Sequence, residues 1–158
     1  MAKAPDTHPN LFGKVRMGYA LVESQKLEDW LRFTRDALGI DVQKVDNSLI
    51  CRLDGHARRL IISDGPLEDV AALGYQLDDQ ASLDIVLQRL RQHSVAVEAG
   101  DAHGAALRGV KAYWRCIGPK GLPIEFYVTP TLSDAPLQML ASGFLTGSAG
   151  MGHVAITS

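Results

Sequence analysis

Apolar positions fall along this chain in two alternating rhythms, and the order of those rhythms repeats. Met17, Ala20, Leu21 and Val22 make a short β-compatible run over 16–24, closed by Glu23-Ser24. Leu27, Trp30, Leu31, Thr34, Ala37 and Leu38 then recur at steps of three and four. Glu28, Asp29, Arg32, Arg35 and Asp36 fill the opposite face, which predicts an amphipathic helix near 25–38. Ser24 is placed to accept from the first free N–H groups, Glu28-Asp29 suit the positive end, and Gly39 supplies a stop. Three further runs, at 41–45, 48–53 and 59–63, are separated by the turn formers Asp46-Asn47 and Asp54-Gly55. The unit reads strand, helix, strand, strand, strand.

The same order restarts at Leu73-Gly74-Tyr75-Gln76-Leu77, displaced from Met17-Gly18-Tyr19-Ala20-Leu21 by 75 − 19 = 56 residues. Leu83, Val86, Leu87 and Leu90 form a second helical stripe that ends near Ser94, followed by a strand at 95–98. A polar loop over 99–109 contains Gly100, Asp101, His103, Gly104 and Arg108. Strands at 110–117 and 122–129 follow, joined through Gly118-Pro119-Lys120-Gly121. Two βαβββ units, each too small to bury its own strands, would stabilise each other as one curved eight-stranded mixed sheet with helices outside, an α+β fold.

The expected organisation is a flexible leader at 1–14, the paired-unit module at 15–129 and a connector at 130–150 with a short helix-like stretch at 137–141. A further first strand opens at 151–158. In that last segment, Met151-Gly152-His153-Val154-Ala155-Ile156, the slot held by Tyr19 and Tyr75 holds His153. A lone strand buries neither its backbone nor Val154 and Ile156, so the chain is expected to be truncated after the first strand of a third unit.

A net charge of -2 with both signs scattered provides no basic footprint for nucleic acid, and no apolar stretch suits a membrane or a signal peptide. Cys51 and Cys116 stand alone in strand-like runs without CxxC spacing, so a reducing cytoplasm is expected. No Ser-His-Asp set, Cys-His set or GxxxxGK[ST] loop can be assembled. His56, His93 and His103 lack a helical metal-site partner and read as turn, helix-end and loop residues; His8 lies in the leader.

Four segments carry a resemblance: Met17-Gly18-Tyr19-Ala20, Leu73-Gly74-Tyr75, Gly118-Pro119-Lys120-Gly121-Leu122-Pro123-Ile124-Glu125-Phe126-Tyr127, and Gly143-Phe144-Leu145-Thr146-Gly147 through Gly150-Met151-Gly152-His153. On these the chain resembles the vicinal oxygen chelate superfamily and, within it, the type I extradiol ring-cleaving dioxygenases. The resemblance implies a metal-free N-terminal module followed by a catalytic module with non-haem Fe(II) on two histidines and a glutamate. His153 matches the first of those histidines, with the other ligands expected beyond Ser158.

A 2-His-1-carboxylate face leaves open positions where a catechol and O₂ bind together, so the implied activity is meta-cleavage of catechol-type diols by a homo-oligomer. Tyr19, Tyr75 and Glu125 would mark the same three slots in disuse, since a phenol with a pKa of about 10 keeps its proton near neutrality. The chain alone is expected to hold no iron and to supply no catalytic residue. Two alternatives are a metal-free binding module of the bleomycin-resistance kind and a glyoxalase-like isomerase. Continuation past the eighth strand disfavours the first, and the tyrosines disfavour the second.

Overall fold

The computed structural model describes residues 9–140 and 142–155. Eight strands, β1 (Val15–Glu23), β2 (Asp41–Val45), β3 (Ser48–Arg52), β4 (Leu60–Ser63), β5 (Asp69–Leu77), β6 (Glu98–Ala99), β7 (Trp114–Ile117) and β8 (Pro123–Tyr127), form one mixed sheet in the order β2-β3-β4-β1-β5-β8-β7-β6. The expected α+β pairing of two βαβββ units is the observed architecture. The units join through the antiparallel β1–β5 pair at the centre, and each then adds its last strand in parallel, β4 beside β1 and β8 beside β5.

The helices form where the apolar stripes fall. Helix α1 (Leu27–Arg32) runs into a π-helical segment, Phe33–Ala37, instead of continuing as one α-helix to residue 38. Thr34 Oγ1 donates to Trp30 O at 2.7 Å, and Leu38 N–H reaches back to Phe33 O at 2.9 Å, so a side-chain hydroxyl competes within the ladder and the turn widens. Gly39, at φ 67°, provides the expected stop. Ser24 Oγ accepts from Lys26 N–H at 3.0 Å one step before the helix instead of capping it.

Helix α2 (Gln80–Gln92) is capped by Asp79, whose carboxylate accepts from Ser82 N–H at 2.7 Å, and buries Leu83 and Leu87. α1 covers Val22, Leu49, Cys51 and Ile62; α2 covers Leu77 with Trp114 and Phe126. Both lie on the convex side. The free cysteines Cys51 and Cys116 are buried. Among the described residues no helix is long and apolar enough to cross a membrane.

Several expected boundaries are corrected. The polar loop contains helix α3 (Ala102–Arg108), capped by Asp101 through Gly104 N–H at 2.6 Å and stopped by Gly109 at φ 63°. Its short Ala-Gly pattern gave too few apolar positions to register as a helix. The strand expected at 95–98 is reduced to Glu98–Ala99, and that expected at 110–117 begins only at Trp114, because α3 and its flanks take up the intervening chain. Residues 137–140 form no helix, and Ala141 lies outside the described residues.

The expected strand after residue 150 is a single parallel bridge, Gly150 to Met17, with Met151 N–H donating to Met17 O at 3.0 Å; residues 152–155 are coil. The leader's first eight residues and Ile156 also lie outside the description.

The residue-level repeat is corrected as well. Ala20 pairs with Leu60 in parallel, Leu73 pairs with Ile124 in parallel, and Ala20 and Leu73 pair with each other across the centre. The two units therefore superpose with a shift of 73 − 20 = 53 residues, not 56. Three residues is an odd number, and an odd slip along a strand reverses the face. Tyr19 accordingly faces the concave side with Leu21, Ile61 and Tyr127, whereas Tyr75 faces the convex side with Leu73 and Phe126. The tyrosines do not occupy matching sites.

The repeated Gly-Tyr pair instead answers a packing need. A Cβ on Gly74 would stand against the Tyr19 ring, and one on Gly18 would overlap the hydroxyl end of Tyr127, so each glycine is a seat for an aromatic side chain. The seated rings stack with centroids 5.3 Å apart at 26°. Gly74→Ala is expected to cost about 1–3 kcal/mol by overpacking. The check is a lowered urea midpoint with an unchanged slope.

Candidate functional site: a clamped carboxylate on the concave face

Strand alternation decides the site's composition. Along β8, Ile124 and Phe126 point to the convex layer, while Glu125 and Tyr127 point to the concave face. Glu125 is fully buried, and an isolated carboxylate there would carry a desolvation cost of several kcal/mol. Three elements supply its partners. Tyr19 on β1 donates its hydroxyl to Oε2 at 2.7 Å. Arg108, the last residue of α3, approaches bidentately, with Nη2 on Oε1 at 2.7 Å and Nε on Oε2. Arg115, directly opposite on β7, donates from Nε at 3.0 Å and Nη2 at 2.7 Å to Oε1.

Burial pushes the Glu125 carboxyl up, but the hydrogen bonds and charge of Arg108, with Tyr19 and Arg115, outweigh it and hold the group below its ordinary value. The Tyr19 phenol moves far upward through burial and the Glu125 charge, and burial pushes Tyr127 up to about 12. Arg108 also stacks over Tyr113, its guanidinium carbon 4.3 Å from the ring centroid.

A second polar cluster adjoins the first. Arg59, fully buried, holds Asp54 through Nε at 3.0 and 3.1 Å and gives Nη1 to Gly18 O at 2.8 Å. Burial raises the Asp54 carboxyl, yet His56 and Arg59 outweigh that and leave it well below the carboxylate range. His56 sits in this turn, with Nδ1 3.3 Å from Asp54 and Nε2 3.4 Å from Gln76 Oε1. His93 ends α2 and His103 lies in the first turn of α3, both exposed.

Tyr19, Tyr75 and Glu125 do not fit divalent iron. Both oxygens of Glu125 are taken by guanidinium and phenol donors, the Tyr19 phenol keeps its proton, and Tyr75 lies on the opposite face. Among the described residues no group of three or more His, Cys, Asp and Glu side chains converges as a metal site. His153 is exposed in coil, and no hydrogen bond ties it to the clamp among the described residues. Sequence reasoning missed Arg59, Arg108 and Arg115, because a buried arginine is indistinguishable by composition from a solvated one. The available signal was Glu125 itself, an acid flanked by apolar residues in a strand, which requires a cationic partner if it turns inward.

Glu125→Gln leaves two guanidiniums without their counter-charge and is expected to cost about 3–5 kcal/mol. Because folding depresses the Glu125 pKa, its contribution is present above the ordinary value of about 4.3 and is lost as pH falls through the lower folded value. Denaturation across acid pH should therefore show a shallower loss in the variant than in the wild type, with the residual slope coming from groups such as Asp54. In alkali, Tyr19 and Tyr127 should form phenolate only as the chain unfolds, read by ultraviolet absorbance alongside circular dichroism.

Residues 17–65 match the family model described as dihydroxybiphenyl dioxygenase BphC D1. The chain is 34% identical over 145 residues to the biphenyl-2,3-diol 1,2-dioxygenase of Paraburkholderia xenovorans (strain LB400), covering 87% of this chain and 46% of that protein. It is 31% identical over 146 residues to the 3-methylcatechol 2,3-dioxygenase of Pseudomonas putida, covering 90% and 50%. A crystal structure of a catechol 2,3-dioxygenase shares the fold with a TM-score of 0.83 at 22% identity, covering 90% of this chain and 52% of that one. The halotolerant catechol dioxygenase BphC does so with a TM-score of 0.81 at 24% identity, covering 87% and 48%. The chain spans about half the length of the curated relatives it matches. Over residues 17–65 the chain thus carries a BphC D1 domain, it is similar in sequence to ring-cleaving dioxygenases over about half their length, and it shares the fold of the catechol dioxygenase structures.

Proposed function

We propose that this chain is the D1 module, at 15–129, of an extradiol dioxygenase that opens a catechol-type diol with O₂, followed by a connector at 130–150. In this reading the module does not hold the iron. Its contribution is a rigid sheet, assembly with further copies, and a fixed anchorage for the connector. The observation that carries the reading is the arginine clamp: the one carboxylate projecting from β8 into the concave face is committed on both oxygens to Arg108, Arg115 and Tyr19.

His153 is proposed as a first imidazole ligand of the iron in the whole protein. Support comes from its setting, exposed and framed by Gly150 and Gly152 at φ 62° and 86°, where the backbone turns freely. Buried free cysteines accord with a reducing cytoplasmic setting. The binding-module alternative gains nothing from the concave face, which is filled by Tyr19, Tyr127, Tyr113 and Ala105 of α3.

Anaerobic titration with Fe(II), followed by calorimetry and then by oxygen uptake with 3-methylcatechol, tests the proposal. The 158-residue chain should show neither stoichiometric tight binding nor turnover. Joined to the half of the Paraburkholderia enzyme that it does not match, it should yield a ring-cleaving protein. Turnover by the chain alone, or a folded chimera that loads iron but does not cleave, would overturn the assignment.

A further inference from the structure

Residues 100–113 stand where the first unit has only the tight Asp46-Asn47 turn, and within them α3 lies across the concave face. The buried residues of α3 are Gly104, Ala105 and Arg108, with Leu107 half-buried, so the helix brings little apolar surface to the contact. Its attachment is polar. Among the described residues, the hydrogen bonds tying 102–108 to the molecule beyond its own flanks at Asp101, Gly109 and Val110 are those of Arg108 to Glu125 and of Arg58 Nη1 to Leu107 O at 3.0 Å.

Besides the bonds that Gly109 and Val110 N–H give to Ala106 O and Ala105 O of the helix, the flanks have fastenings of their own. Gly100 N–H donates to Tyr113 O at 2.9 Å on one side; Thr131 N–H donates to Gly109 O at 2.8 Å and Lys111 N–H to Thr129 O at 2.9 Å on the other. Both fastened points are glycines, Gly100 packed flat on Tyr113 and Gly109 in the left-handed region. A short polar-tethered segment between two fixed pivots belongs to the low-stability end of a fold.

Beneath α3 the floor consists of Glu125, Tyr19 and Tyr127, all fully buried. The space taken by the Arg108 guanidinium has two carboxylate oxygens ahead and the Tyr113 face 4.3 Å to its side, a recognition set for a planar cation. Arg115 stays on the same carboxylate and opposes a compact divalent ion there. We propose that α3 is a hinged latch over a guanidinium-binding site: Arg108 fills the site when the latch is closed, and an alkylguanidinium takes its place when α3 swings out about Gly100 and Gly109.

Native-state hydrogen exchange on the full chain tests this. In the wild type, the amides of Ala105, Gly109 and Val110 should exchange through an opening that leaves the α2 amides protected. In Arg108→Ala, exchange of those three should rise by about tenfold or more with α2 unchanged, and methylguanidinium should restore protection where tetramethylammonium does not. Arg108→Lys, which keeps the charge but not the planar fork, should respond only weakly to the ligand. Exchange of α3 in step with α2 in the wild type would overturn the latch, and that comparison decides it even where Arg108→Ala does not fold. A folded Arg108→Ala chain indifferent to methylguanidinium would overturn the site.

Discussion

One ionised carboxylate, sealed from water, organises the concave half of this molecule. Glu125 is tolerable at zero exposure only because β1, β7 and α3 each deliver a donor to it, so its charge imposes a common geometry on three separate elements drawn from both units. An apolar residue at the same position would have left Arg108 and Arg115 without a counter-charge and α3 without its main tether. The ion cluster thus specifies where the inserted helix lies, a role that hydrophobic contact from Gly104 and Ala105 is too weak to play.

Around that charge, aromatic rings are placed by the absence of side chains. Tyr19 lies over Gly74 and the hydroxyl end of Tyr127 over Gly18, so the central strands approach both side chains at backbone distance and the stacked pair fills the concave face. A bulge between Met17 and Tyr19 lets Met17 serve the convex layer while Tyr19 serves the concave one. The concave face is in consequence a second core, walled by phenols and guanidiniums.

The order of elements along the chain, the duplication and the two convex helices were legible because apolar period and turn chemistry agreed over long stretches: Leu27 to Leu38, Leu83 to Leu90, and the Asp46-Asn47 turn. The equivalence of Tyr19 and Tyr75 was misread because Met17-Gly18-Tyr19 and Leu73-Gly74-Tyr75 look alike for a reason unrelated to symmetry, namely glycine seating of aromatic rings. Helix α3 escaped detection since its stabilising contact is an arginine and not an apolar stripe. The π turn at Phe33–Ala37 depends on where Thr34 sends its hydroxyl, which periodicity does not encode.

The connector has its own mechanical meaning. Ala57 N–H donates to Thr131 O, Ser133 N–H to Gly55 O, Thr131 N–H to Gly109 O, and Arg52 Nη2 to Ala135 O, so one extended segment laces a loop of the first unit to a loop of the second. During synthesis from the N-terminus, the amide of Ala57 has no partner until residue 131 has emerged, long after β1 to β4 are available to pair. The first unit is born incomplete, and its closure waits on chain made after the second unit is nearly finished.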